Sequence, residues 1–153
     1  MVNHGTPNPG MKVQILPRLP MKHAVIFVDI QKLIRHERVN RARCVEIRKQ
    51  ICLTGIIRRP VIVDKASNVI LDGHHRVEAL RELGAKRVPV AYVNYSDNRV
   101  RVYLRRKDMM MKLVKRFVVE MANVHDVFPS KTTRHLIHGR PTMKPVHVSE
   151  LMK

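Results

Sequence analysis

The chain of 153 residues has no tryptophan, two cysteines, and 12 acidic residues against 30 Lys and Arg. Each shortage closes off a class of protein. Cys44 and Cys52 stand eight apart, which suits neither a C-x-x-C redox pair nor a zinc knuckle. Both are expected to be reduced core residues of a cytoplasmic protein. No apolar run approaches the roughly 20 residues that a bilayer crossing needs, and no secretory signal is visible, so no membrane association is expected. The chain has neither a G-x-x-x-x-G-K-[ST] loop nor a kinase-type glycine-rich loop, which removes the two common phosphotransferase scaffolds.

What the chain does have is positive charge, formally +18 with histidine neutral, on a composition that is 44% hydrophobic and so belongs to a folded globule. Such an excess fits a polyanionic partner, a small anionic substrate or a heavily charged surface, and composition does not choose among them. The opening "MVNHGTPNPGMKVQILPRLP" carries four prolines and two glycines. Residues 1–22 therefore read as a flexible tail ahead of one domain spanning 23–153.

Along that domain, "HAVIFVDI" is rich in β-branched residues and predicts a first strand. "RHERVNRARCVEIRKQICLTG" predicts a helix with an imperfect stripe of Ala42, Val45, Ile51 and Cys52, stopped at Gly55. "PVIVD" and "VILD", separated by the turn "KASN", predict a hairpin. Val77, Leu80 and Leu83 repeat at helical spacing up to Gly84. "RVPVAYVNY" predicts a strand with Val88, Val90, Tyr92 and Asn94 on one face. "RVYLRRKD" either extends that sheet or leads out of it. Met110, Leu113, Val114, Phe117, Val118 and Met121 form an amphipathic stripe. The tail from Phe128 shows little periodicity. The order predicts a compact single domain of α+β (or α/β) class, with one mixed sheet flanked by helices.

Chemistry concentrates where a strand turns into a helix, in "LDGHHR". Gly73 permits close backbone approach to a ligand, and a helix N-terminus favours anions. Arg76 suits a bidentate grip on phosphate, and His74 or His75 suits donation or acid catalysis. Asp72 reads as a group that orients an imidazole, holds Mg²⁺ or takes a proton. The alternative is a tight turn whose histidines cap the helix and face water. Glu37, taken alone, is one acid in a basic stretch, open to pairing with Arg38 or Arg41 at the surface. "SKTTRH" alone reads as a basic loop or a helix cap. The other histidines (His4, His23, His36, His125, His138 and His147) show no metal-binding spacing, and no structural metal is expected.

"PVIVDKASNVILDGHHRVEALRELGAKRVPVAYV" resembles the ParB/sulfiredoxin superfamily, which places a phosphate-binding loop at this strand–helix junction. The ending "DGHHR" is similar to that of archaeal free-serine kinases, which convert L-serine to O-phospho-L-serine. "RHERV" places Glu37 where that family carries a catalytic glutamate, and "FPSKTTRH" resembles its "FPxK[ST]TRH" segment. The likeness runs from about His23 to His135. It implies a ParB/sulfiredoxin-like fold and a kinase taking L-serine and a nucleotide donor, ATP or ADP, with Mg²⁺. By resemblance, Glu37 is the base or the group orienting the serine hydroxyl, and Asp72 assists it or positions the metal. Gly73, His74, His75 and Arg76 surround the transferred phosphoryl group. Lys131, Thr132, Thr133, Arg134 and His135 line the other side. The family tends to carry a tryptophan near the substrate; here Tyr103 is the nearest candidate. Sulfiredoxin chemistry needs a cysteine where His74 stands.

The alternative is a ParB-like DNA-binding or nucleotide-switch module without kinase activity. DNA-binding ParB proteins carry a helix-turn-helix after the core, and the sequence after the methionine-rich stretch offers no clear second helix. No specific nucleic-acid partner is expected.

Overall fold

The protein is described here by a computed structural model covering residues 24–104, 115–124 and 133–153. The expected N-terminal tail, and Met110, Leu113 and Val114 of the expected amphipathic stripe, lie outside the described residues. In order, the elements are β1 (Val25–Asp29), a short 3-10 turn (Ile30–Lys32), α1 (Arg41–Thr54), β2 (Ile56–Ile57), β3 (Val61–Asp64) and β4 (Ile70–Asp72). They continue with α2 (His74–Glu82), β5 (Arg87–Val93), β6 (Val100–Leu104), α3 (Lys115–Asn123), β7 (Thr133–Ile137), β8 (Val146–His147) and α4 (Val148–Leu151).

Four strands form the central mixed sheet in the order β1-β5-β3-β4. β5 runs antiparallel to β1 and parallel to β3, while β3 and β4 make the expected antiparallel hairpin. Its turn is closed by Ser67 Oγ donating to Asp64 Oδ2 at 2.6 Å, with Asn68 in the left-handed region at φ 62°. α2 then carries the chain from β4 back to β5. The α+β class and the mixed sheet flanked by helices are as expected, and among the described residues two small ribbons stand beside that sheet. β2 pairs with β8, and β6 pairs with β7, each as a separate two-stranded ribbon.

Both faces of the central sheet are covered, which is why β3 is buried at every residue and reads as an unbroken apolar run. On one face, Val61, Val63, Val88 and Val90 pack against Ile51 of α1, Val77 and Leu80 of α2, and Leu151 of α4. On the other, Ile62, Leu71, Ala91 and Val93 pack against Val100, Ile137, and Val118 and Ala122 of α3. The period-2 alternation of "RVPVAYV" thus divides β5 between two cores.

Three sequence expectations need correcting. The buried stripe of α1 is Cys44 and Ile51, with Ile47 partly buried between them; Ala42 and Cys52 are exposed, so Cys52 is not a core residue. Apolar residues occur on more than one side of α1, and the packing against α2 selects the side. In α3 the buried residues are Val118 and Ala122, while Phe117 is 40% exposed. Finally, the tail from Thr133 on holds a strand, β7. Thr133, His135 and Ile137 are buried and Arg134 and Leu136 exposed, a strand alternation that three polar residues concealed.

Candidate active site

Three segments far apart in sequence meet at the C-terminal end of β4. The first is the stretch after the 3-10 turn. Ile34 forms a parallel bridge with Val69 and His36 Nδ1 donates to Ile70 O, which brings the Glu37 segment to the end of β4. The second is the Asp72–Arg76 turn into α2. The third is β7, which pairs with β6 so that Thr133 and His135 point inward from the neighbouring ribbon. Together they enclose a cleft of about 280 Å³ to which Glu37, Asp72, Gly73, His74, His75 and Arg76 all contribute. Thr133, Arg134 and His135 line it from the ribbon side. Lys131 and Thr132 lie outside the described residues, and Tyr103 is described through its backbone, opposite Arg134 in β6.

Gly73 is the N-cap of α2, in the left-handed region at φ 106°, and offers no side-chain cap to the first-turn N–H groups. A Cβ there would stand 3.2 Å from both Arg76 Nη1 and Val61 Cγ2, so a side chain would be strained by this φ and would press on both neighbours. Arg76 is folded back beneath it: Nη1 donates to Pro60 O at 3.0 Å and to Arg59 O at 3.4 Å. Burial lowers the Arg76 pKa, and the nearby Asp72 offsets part of that. Asp72 itself is paired with Arg140, a residue that sequence reasoning missed. In all, five arginines (38, 43, 76, 134 and 140) and two carboxylates line the cleft, an excess of positive charge suited to an anion.

Glu37 is 8% exposed, so the surface pairing left open from sequence is not the one adopted. Thr133 Oγ1 lies 3.3 Å from Glu37 Oε2 and 2.9 Å from His36 Nε2. His36, passed over in the sequence because it matched no metal spacing, is fully buried. Its ring stands edge-on to His74 at 4.5 Å between centroids and to His135 at 5.4 Å. His36 Nδ1 donates to Ile70 O at 2.7 Å, which leaves Nε2 to accept from Thr133. His135 Nε2 likewise accepts from the Tyr95 hydroxyl at 2.7 Å. Burial raises the Tyr95 pKa, which keeps that hydroxyl a donor.

The three imidazoles form a neutral layer under the cleft. Burial pushes the His36 pKa down to about 4, against a partial upward pull from the bond to Ile70 O. Burial, with His36 and Lys115 nearby, takes His135 to about 3. His74 is held well below its ordinary value by burial and by the neighbouring histidines. Among the described residues no cluster of three or more His, Cys, Asp or Glu side chains is arranged to hold a metal ion.

No family model matches the chain. It is 33% identical over 100 residues to an ATP-dependent L-serine kinase of Staphylothermus marinus, a match covering 61% of this chain and 40% of that protein. It is 30% identical over 100 residues to an ADP-dependent L-serine kinase of Thermococcus kodakarensis, covering 61% and 41%. The matched region thus spans about two fifths of the length of these curated relatives. A solved structure of a free serine kinase in complex with AMP superposes with a TM-score of 0.78 at 18% identity, over 88% of this chain and 96% of that one. The chain shares that fold, and its resemblance to L-serine kinases is borne out by these relatives.

Proposed function

We propose that the protein is a phosphotransferase that converts free L-serine to O-phospho-L-serine with a nucleotide donor. The observation that carries this reading is the convergence of Glu37, the Asp72–Arg76 turn and Thr133–His135 on one cationic cleft from three separate parts of the chain. Phosphoryl transfer asks for positioned cations and N–H donors around the equatorial oxygens and a carboxylate beside the nucleophile. Both are present. Gly73 and the α2 N-terminus receive the phosphates, with Arg76 and Arg134 on either side. Glu37 takes the proton of the serine hydroxyl as serine Oγ forms its bond to phosphorus. The bond from phosphorus to the donor's bridging oxygen breaks, and the leaving nucleotide keeps the electron pair.

The L-serine kinases it resembles are ATP- and ADP-dependent, so the leaving group is ADP or AMP accordingly. A Mg²⁺ carried in by the donor's phosphates would meet Asp72, the half-exposed carboxylate of the turn, and would neutralise phosphate oxygens there. The DNA-binding alternative gains nothing from the fold: among the described residues α3 is followed by the strand β7, not by a second helix. The test is an assay for phosphoserine with L-serine, Mg²⁺ and ATP, ADP or pyrophosphate in parallel. Phosphoserine is expected with at least one nucleotide; none with any donor would refute the reading.

A further inference from the structure

The loop histidines make contacts that their place beside a phosphate site does not call for. His75 Nε2 accepts the backbone N–H of Asn40 at 2.9 Å, and His74 Nε2 accepts the backbone N–H of His36 at 3.3 Å. A ring nitrogen that accepts carries no proton, so in both residues the ring proton sits on Nδ1. The two acceptors bracket one short segment, residues 36–40, and Glu37 lies within it. Ile70 O holds the same segment from a third direction through His36 Nδ1.

The local reason is visible at the start of α1. Asn40 is its N-cap, and the Asn40 side chain accepts from the Arg43 N–H at 3.2 Å. In a capping box the N-cap's own N–H is satisfied by a Glu or Gln at the third helical position. Here that position is Arg43, which has no acceptor to give. His75, from the first turn of a different helix, supplies one instead. The start of α1 is thereby fastened to the start of α2, and the catalytic carboxylate is placed relative to the phosphate turn.

We infer that His75, with His74 beside it, is a positioning residue: its Nε2 lone pair fixes the Glu37 segment against the phosphate turn. The inference rests on the kinase reading for its consequence in turnover, but not for its geometry.

Asn and Gln separate the two ring nitrogens, because an Asn amide reaches the place of Nδ1 and a Gln amide the place of Nε2. In His75→Asn the acceptor is lost, and kcat is expected to fall by about 100-fold, the scale of a 1 Å misplacement at a reacting centre. In His75→Gln the acceptor returns and most of that loss is recovered. Nucleotide affinity, read from ligand-induced stabilisation, should change little in either variant. Amide exchange at Asn40 should be fast in His75→Asn and protected in His75→Gln. The reverse order, with Asn active and Gln impaired, would assign His75 to the phosphate through Nδ1–H and overturn the inference. So would equal kcat in the two variants. If the unsubstituted protein makes no phosphoserine, the kinase reading fails separately and Asn40 exchange decides: equal protection in both variants overturns the positioning role.

Discussion

Three neutral imidazoles in one buried layer make stability a steep function of pH, and its size follows from the structure. His36 moves from an ordinary 6.5 to about 4 on folding, and His135 from 6.5 to about 3. Below 6.5 the unfolded chain binds a proton at each site, whereas the folded chain does not until pH nears 4 or 3. The unfolded state therefore holds more protons, and stability falls as pH falls. It is fully present above 6.5, declines from there, and stops declining through these groups below the folded values. Between pH 7 and pH 5 each of the two costs about 2 kcal/mol at 1.36 kcal/mol per unit. His74, shifted in the same direction, adds to the loss. A total of about 4 kcal/mol is a large part of a typical stability of about 5–15 kcal/mol. It should lower Tm by on the order of 10 °C in a domain of this size.

The assay is thermal unfolding by circular dichroism or calorimetry across that range at fixed ionic strength, comparing the protein with His36→Asn. Asn places an amide N–H where His36 Nδ1 donates to Ile70 O, so the bond is kept and the titration removed. The variant loses its acceptor for Thr133, and is expected to be less stable at pH 7 by about 1 kcal/mol. Its pH slope should be shallower by at least about a third, since His36 also depresses the other two through their mutual repulsion. A Tm that stays within about 2 °C from pH 7 to pH 5, or a His36→Asn slope equal to that of the unsubstituted protein, would refute the neutral layer.

Further outcomes follow from single contacts. Glu37→Gln should cut phosphoserine formation by at least about 100-fold while nucleotide affinity holds within a few-fold, as the proposed role of the carboxylate at the nucleophile requires; equal loss of binding and rate would contradict that role. Arg76→Lys exchanges a planar fork that reaches two backbone carbonyls for a point charge. It should lower both Tm and kcat/KM, and near-normal kinetics would place Arg76 outside the phosphate site. Gly73→Ala introduces a Cβ at φ 106° against Arg76 and Val61, and should cost about 1–3 kcal/mol of stability and weaken nucleotide binding together. A fully stable Gly73→Ala variant with normal affinity would show that the turn tolerates a side chain.

Much of this frame is legible in the sequence, because strand alternation, the "KASN" turn and the glycines at 55 and 84 are local signals. Gly55 does end α1, in the left-handed region at φ 67°. What local pattern could not carry was the inward face of polar residues. His74 begins the spacing 74, 77, 80 on α2, the same face as Val77 and Leu80, and that register marks it as buried. Thr133 and His135 share an alternating face with Ile137 in the same way. A reading that equates polar with exposed skips both. His36 and Arg140 had no signal of either kind. His36 becomes a neighbour of His74 only after Ile34 has paired with Val69, and Arg140 meets Asp72 across 68 residues of chain. Such partners belong to the tertiary fold and not to any window of sequence.

The choice of imidazole for this layer has a physical logic that aliphatic residues could not meet. β4 is an edge strand of the central sheet, and among the described residues its outer side meets one isolated bridge, in which Ile70 N–H donates to Ile34 O. A buried carbonyl without a donor costs about 1–3 kcal/mol, and Ile70 O lies where packing excludes water. Neutral histidine is the side chain that offers one N–H and one lone pair on a flat, largely apolar ring. His36 spends the N–H on Ile70 O and the lone pair on Thr133; His74 gives its Nε2 lone pair to the His36 backbone. The same bonds that finish the edge of the sheet therefore tie Glu37, Thr133 and the Asp72–Arg76 turn into one unit. A protonated imidazole has no lone pair to give, so acid should detach the Glu37 segment by removing the very acceptors that hold it.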